Sequence, residues 1–148
     1  MTPDRETLFA ALFALSANVR WGAGTGFEHR ARRLRHWDDL AAQPALCQAE
    51  HDEEIKSKPG LPYRRVLTAS WVVYHRAGAD PAATPASANN AILDAVETAL
   101  APPPYAPDER QTLGGLVHHC FIDGKVFKDP GDLDGQALMI VTIRLLAP

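Results

Sequence analysis

Apolar and polar positions along this 148-residue chain recur with two different periods. Near the start Leu8, Leu12 and Leu15 return at helical spacing, flanked by Phe9 and Phe13. Thr2 is the expected N-cap, Pro3 the expected first helical residue, and Asp4 and Glu6 stand where a helix dipole favours acids. An amphipathic helix is predicted over 3–17. A second helical stripe joins Ala88, Ala91, Ile92, Ala95, Val96, Ala99 and Leu100. Thr84 or Ser87 caps it, with Pro85 as its first residue if Thr84 does, and Pro102, Pro103 and Pro104 forbid its continuation. Its alanines allow close approach to a sheet.

Elsewhere the period is two. The stretch RVLTASWVVYHR at 65–76 is rich in strand-favouring residues and lacks Gly and Pro. Val66, Thr68, Ser70, Val72 and Tyr74 fall on one face, and Leu67, Ala69, Trp71, Val73 and His75 on the other. Neither face is strongly polar in its middle, which predicts a central strand covered on at least one side. Shorter strands are predicted at 45–50 (ALCQAE), at 116–128 with a bulge or bend at Gly124, and at 136–146 (QALMIVTIRLL). A turn at 129–132 joins the last two as an antiparallel hairpin. The basic run EHRARRLRHW at 28–37 is also read as a strand. Its arginines fall on both faces, so it belongs at an edge or at a protein contact. The expected architecture is α+β: one domain over 1–148, with a single mixed or antiparallel sheet of four to five strands and two helices packed on one face.

The connections carry the remaining polar residues. Gly22, Gly24 and Gly26 imitate a phosphate cradle, but they follow a helix and not a strand, so a turn is the better reading. His51, Asp52, Glu53 and Glu54 begin a charged loop. The proline-rich connection 102–115, which contains Tyr105 and Pro107, is read as a stiff surface crossing.

Composition narrows the function only a little. The net charge is −3, which argues against a dedicated nucleic-acid binder. Cys47 and Cys120 suit a reducing compartment as buried free thiols. Leu8–Leu15 imitates a signal-peptide core, but Asp4, Arg5 and Glu6 lack its positive flank, and no stretch reaches membrane-span length. A cytoplasmic protein is expected. His118, His119 and Cys120 are soft metal ligands, yet a strand points His119 away from the other two. Asp132 and Asp134 start like a calcium loop that lacks its later glutamate. No nucleophile elbow, Walker lysine or CxxC pair is present, so neither catalysis nor a cofactor or metal is expected.

The stretches RRLRHWDDL…QPAL (32–46), LPYRRVLTASWVVYHRAGADP (61–81), NAILDAVETAL (90–100), QTLGGLVHHCFIDG (111–124) and GDLDGQALMIVTIRLL (131–146) cover nearly the whole chain. In these stretches and their order the chain resembles the tail terminator, or tail completion, proteins of long-tailed bacteriophages, similar to minor tail protein U. The resemblance implies a virion assembly protein that forms a hexameric ring on the last ring of the tail tube. Such a ring ends tail polymerisation, offers its other face to the head connector or neck protein, and lets genomic DNA pass without sequence-specific binding. The implied location is the tail–head junction, after assembly in the bacterial cytoplasm and without a membrane. Two alternatives stay open: another head–tail joining protein, or a small metal-dependent enzyme or ligand-binding domain using His118, Cys120 and Glu50. The ring's interface is expected where charges oppose, with Arg30, Arg32, Arg33 and Arg35 of one protomer facing Glu50, Asp52, Glu53 and Glu54 of a neighbouring subunit.

Overall fold

The computed structural model describes residues 2–78, 80–106 and 108–148. Ala79, in the loop expected after the central strand, and Pro107, in the proline-rich connection, lie outside the described residues. The elements in chain order are α1 (Arg5–Leu15), β1 (His29–Ala31), β2 (Ala45–Glu50), β3 (Glu54–Lys56), β4 (Arg64–Arg76), α2 (Pro85–Leu100), β5 (His119–Ile122), β6 (Phe127–Asp129) and β7 (Gln136–Ala147). Short 3-10 turns occupy Ser16–Asn18 and Trp37–Asp39.

One mixed sheet runs in the order β1-β2-β4-β7-β5, and the fold is α+β as expected. It holds seven strands, more than the four to five expected. The excess comes from interrupted lanes. β3 continues the lane of β2 along β4, and β6 continues the lane of β5 along β7. The first lane breaks at His51, Asp52 and Glu53, three polar residues that leave the ladder except for one bond from the His51 amide to the Thr68 carbonyl at 2.9 Å. The second breaks around Gly124, whose φ of +76° bends the chain where a bend was expected. Among the described residues only β1–β2 is parallel, and every other strand pair is antiparallel.

β4 is the centre. It pairs with β2 and β3 on one side and, over its whole described pairing from Arg65 to Arg76, with β7 on the other. Both of its faces are buried from Ala69 to His75. On the first face Leu67, Ala69, Trp71 and Val73 meet Leu8, Phe9 and Leu12 of α1 and Ile92, Ala95, Val96 and Leu100 of α2. Burial of this apolar surface is the main favourable term holding both helices on the sheet. On the second face the cover is smaller: Trp37 and Leu40 pack over Cys47, Val72 and Tyr74. The two cysteines, both free and buried, thus belong to opposite faces.

Three expectations need correction. α1 is capped by Asp4, not Thr2: the Asp4 carboxylate accepts the Thr7 amide at 2.7 Å. The helix also stops at Leu15, where Ser16 folds its hydroxyl back onto the Phe13 carbonyl at 2.6 Å. The strand expected over 28–37 is only three residues long. Past Ala31 the chain leaves the sheet, because Arg32 is drawn to carboxylates of α1 and β2 while the residues beyond it cross to the second face.

Candidate functional site

The eight charged residues expected at an interface divide into those satisfied within the chain and those left exposed. Arg30 and Arg32 share the helix face of the sheet edge, since β1 registers Arg30 beside Leu46. Arg30 stacks its guanidinium over the Phe13 ring, 4.9 Å from the centroid, and donates to the Ser16 hydroxyl at 2.7 Å. Arg32 forms a fork on Glu6, at 2.6 and 2.9 Å, and reaches Glu50 at 2.7 Å. These bonds hold the Arg32 guanidinium well above its ordinary range, first through Glu6 and then through Glu50. Glu6 in turn sits below the usual carboxylate range because of its hydrogen bond with Arg32. Glu53 accepts from Arg5 through both oxygens at 2.8 Å.

The basic edge and the acidic stretch therefore meet inside one protomer. Arg32 and Glu50 tie β1, β2 and α1 together, and their charges are largely spent before any partner arrives. Arg33 and Arg35 are different: both are exposed, and among the described residues neither side chain has an ion-pair partner. Asp52 is likewise exposed, and Glu54 makes only a surface contact with Lys56 at 3.4 Å.

The segment carrying Arg33 and Arg35 is not slack. The Tyr74 hydroxyl donates to the Arg35 carbonyl at 2.7 Å, and the His36 ring accepts the Asp38 amide at 3.2 Å. His36 itself is extended, at φ −66° and ψ 144°. The segment is thus anchored at Arg35, and Leu34 stands half exposed between two arginines.

At the other edge of the sheet lies a cleft of about 640 Å³. The end of α2 supplies Glu97 and Leu100, the proline run supplies Pro102, Pro103 and Pro104, and β5 supplies its four residues. Glu97 and Glu109 bring negative charge; nearby Arg110 is already paired with Asp108. The expected stiff surface crossing is thus one wall of a groove beside an edge strand. On the side of β5 away from β7 the Gln111 carbonyl accepts the Cys120 amide at 2.8 Å.

The two ends of the sheet also differ. The β3–β4 hairpin ends in exposed Ile55, Leu61 and Tyr63 beside Lys58 and Arg64. At the far end of β4, about 40 Å away at 3.3 Å per residue, the loops after β4 and before β7 meet through the Ala77 amide and the Gly135 carbonyl at 2.7 Å. Here Asp80, Asp132 and Asp134 outnumber Arg76, and Leu133 is fully exposed. The Asp134 carboxylate accepts the Gln136 amide at 3.0 Å, a local turn bond and not a calcium ligand set.

Three polar pairs escaped the sequence reading. His51 Nε2 lies 2.7 Å from the Ser70 hydroxyl on the second face. Among the described residues no carboxylate bonds to the other ring nitrogen of His51, and Ser70 is nearly buried in mid-strand, so this pair lacks the remaining parts of a nucleophilic site. His75 bonds to Asn89 inside the core, with the Asn89 amide nitrogen left unpartnered. Gln48 links the Trp71 ring N–H to the Phe9 carbonyl, at 3.0 Å in each case. All three join residues distant in sequence, where no periodicity marks them. His119 accepts the Gln111 amide at 3.2 Å and stacks on Phe121, while Cys120 points into the helix-side core. Burial pushes the Cys120 thiol up to about 12 and also raises Cys47. Among the described residues no group of three or more His, Cys, Asp or Glu side chains is placed to hold a metal ion. Nor is any described helix long and apolar enough to cross a membrane.

Comparison with protein-family models finds no match for this chain, and comparison with curated proteins finds none.

Proposed function

We propose that this chain is a structural assembly protein of a phage, a prophage or a phage-like particle. It closes into a ring, hexameric by the resemblance of its sequence pattern, on the final ring of the tail tube. There it ends tail polymerisation and joins the tail to the head connector, with DNA passing through the lumen. It performs no catalysis. Its place is the tail–head junction of the virion, after assembly in the bacterial cytoplasm.

The observation that carries this reading is the unlikeness of the two ends of the sheet. A ring held between a tube and a connector must offer a different surface to each. This protomer has a basic, apolar hairpin tip at one end, with Leu61, Tyr63, Lys58 and Arg64. It has an acidic double loop at the other, with Asp80, Asp132 and Asp134. The α+β fold with both helices on one face agrees with what the resemblance implies. A net charge of −3 suits a pore that does not hold DNA by its phosphates.

The test is localisation. An epitope-tagged chain is produced in its own host, particles are purified and labelled with gold-conjugated antibody, and the label is mapped by electron microscopy. Label confined to one position per particle, where tail meets head, is expected. Label spread along the tail, or particles without label, would overturn the proposal.

A further inference from the structure

Resting on the ring reading above, we infer that the lateral contact between protomers is made by the exposed basic segment 33–36 of one copy seated in the cleft beside β5 of the next. The segment follows β1 and crosses the second face, where its Arg35 carbonyl is bonded to Tyr74 of the central strand; the cleft lies beyond that strand, at the β5 edge of the sheet. A closed ring is built by a heterologous contact, in which each protomer presents two different and complementary patches on roughly opposite sides.

The chemistry of the two surfaces is complementary. The segment offers Arg33 and Arg35, exposed and without ion-pair partners among the described residues. The cleft offers Glu97 and Glu109, likewise without ion-pair partners among the described residues. Leu34, 52% exposed, stands between the arginines, and the cleft has an apolar wall of Leu100, Pro102 and Pro103 to receive it. Shape also agrees. The segment is anchored by the Tyr74 bond to the Arg35 carbonyl and by the His36 turn bond, so less order is lost on docking. The cleft is open, bounded by a proline run on one side and by β5 on the other. Arg30 and Arg32, bound within the chain, take no part in this contact; they fix the start of the segment to α1 and β2.

Disulfide trapping tests the contact, because it accumulates even weak and transient encounters. Cys47 and Cys120 are buried and do not compete. The double variant L34C/P103C of the full chain is oxidised at its highest soluble concentration and run on a non-reducing gel. A ladder of linked copies extending beyond dimer is expected, whereas L34C alone and P103C alone give none. Adding R33E/R35E to the double variant lowers the ladder more than about tenfold, because like charges then face each other. Mixing that protein with a second L34C/P103C protein carrying E97K/E109K restores the ladder, since each then meets the opposite charge. Circular dichroism of each variant establishes that it is folded.

Absence of the ladder in folded L34C/P103C, or a ladder unchanged by R33E/R35E, overturns the inference. Failure of the two charge-reversed proteins to recover together overturns it as well. A missing ladder beside a gold label at the tail–head junction removes the contact and leaves the proposed function intact. A ladder without particle label does the reverse.

Discussion

Gln48 is the residue whose replacement tests the account of the core most sharply. Its side chain is 1% exposed and stands between α1 and the central strand, accepting the Trp71 ring N–H and donating to the Phe9 carbonyl, each at 3.0 Å. Gln48→Leu keeps the volume and removes both bonds. Phe9 lies within α1, so its carbonyl keeps the helical partner four residues on. The Trp71 N–H has no such reserve. A buried donor left unsatisfied costs about 1–3 kcal/mol, and loss of the net Phe9 bond adds about 0.5–1.5 kcal/mol. The added apolar surface of leucine offsets part of this, leaving a destabilisation of about 2–3 kcal/mol. Urea unfolding measures it, and an unchanged slope establishes that the native and denatured ensembles are otherwise the same. The stronger form is a double-mutant cycle. Trp71→Phe removes the donor, so Gln48→Leu in that background should cost about 1 kcal/mol or more less than in the wild type. Costs that simply add, within about 0.5 kcal/mol, would refute the idea that Gln48 acts through Trp71. The stake extends beyond the core, because the other Gln48 bond, to the Phe9 carbonyl, helps hold α1 where Glu6 can meet Arg32.

Other expectations follow from the edges and turns. Arg32→Ala should raise the Glu6 pKa toward its ordinary value of 4.5, followed by NMR titration of the Glu6 carboxyl. Because the folded-state value is depressed, the Glu6–Arg32 contribution is complete above about pH 4.5 and fades as pH falls through the lower folded value; the variant should lack that part of the acid limb. Both cysteines should resist a thiol reagent at pH 8 in the folded chain and react together once urea unfolds it; fast reaction of folded Cys120 would contradict its burial and its raised pKa of about 12. Gly131→Ala should destabilise the chain by about 1–3 kcal/mol in thermal or urea unfolding, since φ is +83° and an added Cβ would lie 3.0 Å from the Ala137 nitrogen.

The parts of the fold that were legible are those whose periodicity is carried by many residues at once. Residues 65–76 and 136–146 alternate over many positions, and the structure pairs them along nearly their full length. The stripe from Ala88 to Leu100 likewise placed α2, and of its two candidate caps the structure uses Thr84, with Pro85 as the first helical residue. What failed was governed by partners far away in sequence. The run 28–37 alternates formally, yet Arg32 answers to Glu6 and Glu50, 26 and 18 residues distant, and the strand ends just before it, at Ala31. Trp37 and Leu40 cover the second face from a segment with no period at all. β3 was missed because all three of its residues are exposed and polar or isolated, so only its register with β4 defines it.

The candidate site follows the same division. The opposed charges of the arginine-rich run and the acidic stretch were visible in the sequence, but not that Arg32 and Glu50 satisfy each other within one chain. That pairing is what separates Arg33 and Arg35 from their neighbours as the residues left for a partner. The cleft beside β5 was not legible. Glu97, Pro103 and Phe121 belong to a helix, a connection and a strand, and only the folded chain brings them together.

The central claim is that this chain stops the growth of a protein tube. The most direct measurement is the length distribution of tails, by electron microscopy, in particles made by the host with the gene deleted and with the gene restored. Tails of uncontrolled length without attached heads are expected on deletion, and one sharp length with heads attached on restoration. Tails of normal length joined to heads in the deleted strain would contradict the account.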